Sequence, residues 1–114
     1  MWKNEVSSVF EKFLQSLNDG ERERIHTLLM ALKERGPFLS RPHCDTIKCT
    51  KISNLKELRV NCKANPIRVL FAFDSDSVGI VLCAGKKGGN EKRFYKELVA
   101  IADKEFSAHL KSKI

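Results

Sequence analysis

The sequence predicts an α+β fold: an N-terminal αα-hairpin, an antiparallel sheet of three to four strands, and a C-terminal helix. Three changes of rhythm predict it. Apolar residues recur at three- and four-residue steps as far as Leu32, alternate with a period of two between Leu55 and Gly85, and return to helical spacing from Glu91 to Lys111. With 114 residues, 42% hydrophobic and 31% charged, the chain has the balance of one folded domain, residues 1–114, and not of a disordered tail or a membrane protein. Its longest apolar run, VGIVLCAG at 78–85, is far shorter than a bilayer span. The N-terminal MWKNEVSSVF lacks the apolar stretch of a signal peptide, so a cytoplasmic location is expected.

Val6, Val9, Phe10, Phe13, Leu14 and Leu17 share one stripe and define a first helix. Asn18 can then cap a second helix, with Glu21 three residues on as its capping-box partner. Ile25, Leu28, Leu29 and Leu32 continue the stripe until Gly36 and Pro37 stop it. Residues 37–54, with two prolines and many small polar side chains, read as a loop holding one short strand at most. Strands are expected at 55–62, 66–74 and 78–85, the last two joined by the turn Asp74-Ser75-Asp76-Ser77. After the loop GKKGGN, the closing helix presents Tyr95, Leu98, Val99, Ala102, Phe106 and Leu110 as its apolar side.

Charge is distributed unevenly. Residues 1–40 balance at six basic and six acidic side chains, whereas residues 41–70 carry seven and two and residues 86–114 eight and four. A net charge of +7 gathered in two segments suggests an anionic partner such as nucleic acid, with ordinary solubility charge as the alternative.

Two arginines sharpen that reading. Alternation sets Leu58, Val60 and Cys62 on one side of the first strand and Glu57, Arg59 and Asn61 on the other. In the second strand Ile67, Val69, Phe71 and Phe73 lie opposite Arg68, Leu70 and Ala72. If both apolar sides face one core, Arg59 and Arg68 share a sheet face. Like charges meeting across strands destabilise by a few tenths to roughly 1 kcal/mol, so something must compensate. Glu57, of the same parity, could do so in an Arg–Glu–Arg network; a bound phosphate gripped by guanidinium forks could do so instead. The third strand delivers Lys86 and Lys87 onto GKKGGN, where glycines allow close approach of a ligand, and Lys87 keeps the parity of the arginines. GKKGGN lacks the Gly-Lys-Ser/Thr ending of a phosphate-binding P-loop.

LKELR at 55–59, PIRVLFAF at 66–73, the apolar strand closing on AGKK at 84–87, and the C-terminal helix together resemble the RelE/ParE toxin superfamily of bacterial toxin–antitoxin systems, in its HigB-like, phage-derived branch. The resemblance covers most of the chain, including the hairpin with FEKFLQSL, and is strongest from Leu55 to Lys87. It implies a RelE-like fold and a toxin that cleaves messenger RNA on the ribosome, inhibiting translation, as an endoribonuclease needing neither metal nor cofactor. It also implies a helix-turn-helix antitoxin as partner. Other members of the superfamily inhibit DNA gyrase without cutting RNA, so a non-catalytic binding protein is the alternative, and a basic RNA-binding module a third reading.

In metal-independent RNA cleavage the 2′-hydroxyl attacks the adjacent phosphate, so a site needs a base, an acid for the leaving oxygen, and cations for the developing charge. The resemblance assigns phosphate stabilisation to Arg59 and Arg68 and the basic end of the last strand to Lys87. Glu57 stands where ribonucleases of this superfamily can carry lysine, which leaves the base open; Glu57 itself would serve if its carboxyl were raised. Tyr95 is a candidate for stacking on a base or for proton transfer, with a core role as alternative. Lys56, Lys86 and Arg93 complete the substrate-binding candidates. His26 and His109 read as surface or helix-packing residues, and His43 as a weak candidate in the basic loop. Cys44 and Cys49 lie near His43 without CxxC or HxxxH spacing, so reduced thiols are expected rather than a metal site. Cys62 reads as core and Cys83 as free to be exposed on the arginine face.

Overall fold

A computed structural model of the chain describes residues 1–48, 50–63 and 65–113, so Cys49 lies outside the described residues. Strand β1 (Asn4–Val6) precedes helices α1 (Ser8–Gln15) and α2 (Asp19–Arg35), which end in a 3-10 turn, Gly36–Phe38. Then come β2 (Cys44–Thr46), β3 (Lys56–Val60), β4 (Ile67–Phe73), β5 (Gly79–Lys86) and the long helix α3 (Glu91–Ser112). The strands form one sheet in the order β1-β5-β4-β3-β2; β1 runs parallel to β5 and the other neighbours are antiparallel.

The sheet is therefore mixed and five-stranded, where three to four antiparallel strands were expected, and the helical hairpin does not open the fold. Ser7 is the physical reason. Its Oγ accepts a hydrogen bond from the Phe10 amide at 3.0 Å, capping α1, and donates to the Leu82 carbonyl at 2.6 Å. The helix thus starts after Val6, and residues 3–7 join the free edge of β5, with Gly79 N–H donating to Lys3 and Ser7 N–H to Val81. Val6, expected on the helical stripe, is an exposed strand residue. Three residues of strand carry almost no periodicity of their own; the open edge of β5 supplies the pairing.

The hairpin itself forms as its caps dictate. Asn18 Oδ1 accepts from the Glu21 amide at 2.8 Å while Glu21 returns the bond to the Asn18 amide at 3.1 Å. At the other end Gly36 adopts φ +54°, and a Cβ there would lie 2.3 Å from the Trp2 indole, so conformation and space both require glycine.

Helices cover both faces of the sheet. Against α1 and α2 lie Leu58, Val60, Ile67, Val69, Phe71 and Val81 with Phe10, Ile25 and Leu32. Against α3 lie Leu70, Ala72, Ile80, Leu82 and Cys83 with Leu98 and Ala102. The register of β4 and β5 shifts between Leu70, opposite Cys83, and Phe71, opposite Val81, leaving Leu82 as a bulge. Cys83 keeps the arginine-face parity, but α3 covers that face and leaves it 1% exposed, with its thiol donating to the Leu98 carbonyl, which corrects the expectation that it is open to solvent. Burial pushes that thiol up to about 12. The far end of α3 is anchored too. Asp74, in the β4–β5 turn, accepts Lys113 Nζ at 2.9 Å, lies 3.0 Å from His109 Nε2, and bonds the Asp76 and Val78 amides. Leu110, expected on the apolar side of α3, is left exposed.

Candidate functional site

The register of β3 on β4 decides where the site begins. Glu57 faces Leu70, Leu58 faces Val69, and Arg59 faces Arg68 directly. The arginine face is the one that α3 covers, so the two guanidinium groups meet different surroundings. Arg68 is 5% exposed; its Nε stands 3.5 Å from Glu57 Oε1 and its Nη1 donates to the Ile67 carbonyl at 3.2 Å. Of the two compensators the sequence allows, Arg68 meets the local one, a buried carboxylate. Arg59, nearer the sheet edge, is half-exposed and forms no ion pair among the described residues.

Glu57 is itself 7% exposed, and a second group shares it. Tyr95, on the first turns of α3, donates its hydroxyl to the same Oε1 at 2.6 Å. Burial, and then the negative charge of Glu57, push the Tyr95 phenol up to about 12. Lys87 follows β5 on the same face. Its amide donates to the Pro66 carbonyl, its Nζ stands 3.0 Å from Glu91 Oε1, and the same nitrogen lies 6.0 Å from the Tyr95 ring centroid. Glu57, Arg59, Arg68, Lys87 and Tyr95 thus gather at one place.

The other three candidates do not join them. Lys56 has the opposite parity and donates to the Pro37 carbonyl on the hairpin side. Lys86 pairs with Glu21 at 3.2 Å, also on that side. Arg93 is exposed and paired with Glu97 one helical turn along.

Glu57, Arg59 and Tyr95 line a groove of about 740 Å³ between α3 and the segment from Asp45 to Lys48. Its walls add Ile47, Val99 and Ala100, an apolar surface on which a base could rest, and six ionisable residues that sequence reasoning missed: Asp45, Lys48, Glu91, Lys92, Lys96 and Asp103. The signal for three of these was present. Lys92, Tyr95, Lys96, Val99 and Asp103 fall at three- and four-residue steps, so following the helix from Tyr95 in both directions would have found them.

The carboxylates of the groove are all engaged internally. Asp45 binds Arg41 at 2.8 Å, Glu57 binds Tyr95, Glu91 binds Lys87, and Asp103 accepts from Thr50 at 2.9 Å. Among the described residues Lys48, Arg59, Lys92 and Lys96 have no carboxylate within ion-pair distance. Asp45, Glu57 and Glu91 each lie beside a cation and among the described residues Asp103 accepts only from a neutral hydroxyl, so these four cations face one uncompensated carboxylate and the groove attracts anions.

Residues 12–107 match the family model of the phage-derived Gp49-like proteins. The chain is 34% identical over 110 residues to the candidate toxin HigB2 of Mycobacterium tuberculosis, covering 96% of this chain and 54% of that protein. It is 37% identical over 93 residues to the candidate toxin HigB3 of the same organism, covering 82% of this chain and 80% of that one. The chain thus spans about half the length of the first of these relatives. In structure it is similar to the archaeal RelE of the RelE–RelB complex from Pyrococcus horikoshii, with a TM-score of 0.63 at 20% identity over 78% of this chain and 98% of the other. A free RelE toxin variant of E. coli matches with a TM-score of 0.60 at 15% identity, over 87% and 95%.

Proposed function

Because the chain belongs to the phage-derived Gp49-like family, with HigB-type relatives and a RelE-like fold, we propose that it is the toxin of a toxin–antitoxin system that cleaves messenger RNA on the ribosome. The observation that carries the nucleic-acid part of this reading is the groove whose carboxylates are internally bonded while Lys48, Arg59, Lys92 and Lys96 are not. Phosphates of a single strand would track the lysines of α3, a base would lie against Ile47, Val99 and Tyr95, and the scissile phosphate would meet Arg59. Arg59 then stabilises the charge that grows on the phosphate as the 2′-hydroxyl attacks. Lys87, beside Tyr95, supplies the cation for the leaving oxygen. Glu57 and Arg68 act from beneath the groove. The reaction calls on no metal or cofactor, and its place is the cytoplasm, where ribosomes are.

An antitoxin is the proposed protein partner, supported by the RelE–RelB complex among the structural neighbours, and the HigB-like resemblance makes a helix-turn-helix protein the one proposed. Incubation of purified protein with messenger RNA, with and without programmed ribosomes, tests the activity. Fragments that require ribosomes and vanish with Arg59→Ala are the expected result. Growth inhibition by a protein that cuts no RNA in either mixture would favour a non-catalytic toxin acting on gyrase or another target.

A further inference from the structure

We infer that Asp103 reads the base lying on the apolar wall of the groove, and that guanine is the base it selects, with Thr50 as a positioning residue. The inference rests on the nucleic-acid part of the ribonuclease reading and gives that reading a base preference. A groove that attracts phosphates gains nothing from a bare carboxylate. Yet Asp103 lines it, and among the described residues no cation stands within ion-pair distance of this side chain. Its partner is neutral instead. Asp103 Oδ1 accepts the Thr50 hydroxyl at 2.9 Å, and Thr50 Oγ1 in turn accepts the Ile52 amide at 3.1 Å. Ile52 is 7% exposed in the core beneath α3, so the loop that carries Thr50 is anchored. Such a bond holds the plane of the carboxylate without neutralising its charge.

The position of Asp103 suits a base better than a phosphate. Tyr95, Val99 and Asp103 follow one another at four-residue steps on α3, so each stands about 6 Å from the next along the helix axis. The Ile47 amide bonds Leu55, just before β3, and the Arg59 amide bonds His43 near its end, so Arg59 and Thr50 lie on opposite sides of Ile47. A nucleotide with its phosphate at Arg59 therefore rests its base on Ile47 and Val99 and turns the outer edge of that base toward Asp103. A second phosphate there would meet like charge. A carboxylate only accepts, and Thr50 takes one of the lone-pair sites on its two oxygens, leaving both oxygens open to a donor. Among the four bases guanine presents two adjacent N–H donors, at N1 and the 2-amino group, which match two carboxylate oxygens side by side. Adenine and cytosine set a ring-nitrogen lone pair beside their amino group, and uracil flanks its N–H with two carbonyls. Each of those three brings an acceptor against an acceptor, an arrangement that costs binding.

Binding of labelled uridine oligomers that carry one central guanosine, inosine, adenosine or cytidine tests the assignment without cleavage. Guanosine should bind roughly 5- to 150-fold tighter than adenosine or cytidine, the range for one good bidentate pair. Inosine, which keeps the N1 donor and lacks the 2-amino group, should fall between. Asp103→Asn, whose amide still offers Thr50 an oxygen, should bring guanosine to the level of adenosine, and Thr50→Val should lower the preference in part. Circular dichroism on each variant restricts the comparison to folded protein. On programmed ribosomes the wild type should cut beside guanosine, and Asp103→Asn should spread the cuts over other bases. If Asp103 only clips the loop to α3, both variants will weaken all four oligomers alike and leave their order unchanged, which would overturn the base site. Equal affinity of the wild type for all four would overturn it without any variant, while ribosome-bound messenger that is still cut would keep the ribonuclease reading. A guanosine preference in a protein that cuts no RNA would uphold the base site and overturn the ribonuclease reading instead.

Discussion

Arg59 and Arg68 face each other across two strands, yet a difference in burial gives them opposite expected behaviour. Truncating Arg68 would leave Glu57 charged beneath α3 without its cation. Breaking such a buried pair costs about 3–5 kcal/mol, so Arg68→Ala should lower the urea midpoint sharply. Among the described residues Arg59 has no carboxylate partner, and its removal relieves the like-charge contact. Arg59→Ala should therefore keep or slightly raise the midpoint while cleavage falls on the order of a hundredfold, as for the loss of one preorganised donor. Urea melts of the two variants, run beside cleavage assays, check both. Equal stability losses would mean that Arg59 is a structural residue as well.

At the scale of elements, α3 decides what the sheet can do. It covers the lower arginine, brings Tyr95 to Glu57, and supplies one wall of the groove. Its C-terminal end is held by Asp74. Burial alone would raise that carboxyl, but hydrogen bonds from Lys113, His109 and the Val78 and Asp76 amides outweigh burial and hold it well below the usual carboxylate range. A depressed folded-state value means that the stabilisation is complete above the unfolded pKa, near 3.9, and is lost as pH falls below it toward the folded value. Asp74→Asn should accordingly lower Tm at pH 7, on the order of 5 °C for each kcal/mol lost, and flatten the fall in stability below pH 4. Thermal melts of both proteins between pH 2 and 7 give the comparison. An acid limb unchanged in Asp74→Asn would assign it to other carboxylates.

For the molecule as a whole, charge and thiols give the measurable consequences. If the four groove cations that have no carboxylate partner among the described residues each neutralise a phosphate of a single strand, the logarithm of affinity should fall with log salt at a slope of about −3. Removing two of them in Lys92→Ala/Lys96→Ala should weaken the slope by about 1.4, and binding that ignores salt would contradict the groove. Cys44 and Cys83 are buried, which pushes their thiols up to about 11 and about 12. Thiol reagent should reach these two only after denaturant is added, and four free thiols per chain should then be counted. Rapid labelling of Cys83 in native protein would mean that α3 lifts from the sheet.

Periodicity and capping were local enough for the sequence by itself to determine much of the architecture. The capping box at Asn18 and Glu21, the stop at Gly36, the three central strands and the shared face of Arg59 and Arg68 all depend on neighbours a few residues away or on strict alternation. The charge split marked both walls of the groove for the same reason, since each wall is one continuous segment. Tertiary structure decided the rest. A three-residue β1 exists because β5 has an open edge, and Cys83 is buried because α3 packs across the arginine face on which alternation places it. Likewise Lys56 and Lys86, adjacent to site residues in the chain, face the hairpin because neighbouring strand residues point to opposite sides of a sheet covered on both. The meeting of Glu57 with Tyr95 spans 38 residues of chain, and it exists only because α3 packs across the face where β3 and β4 leave their charges.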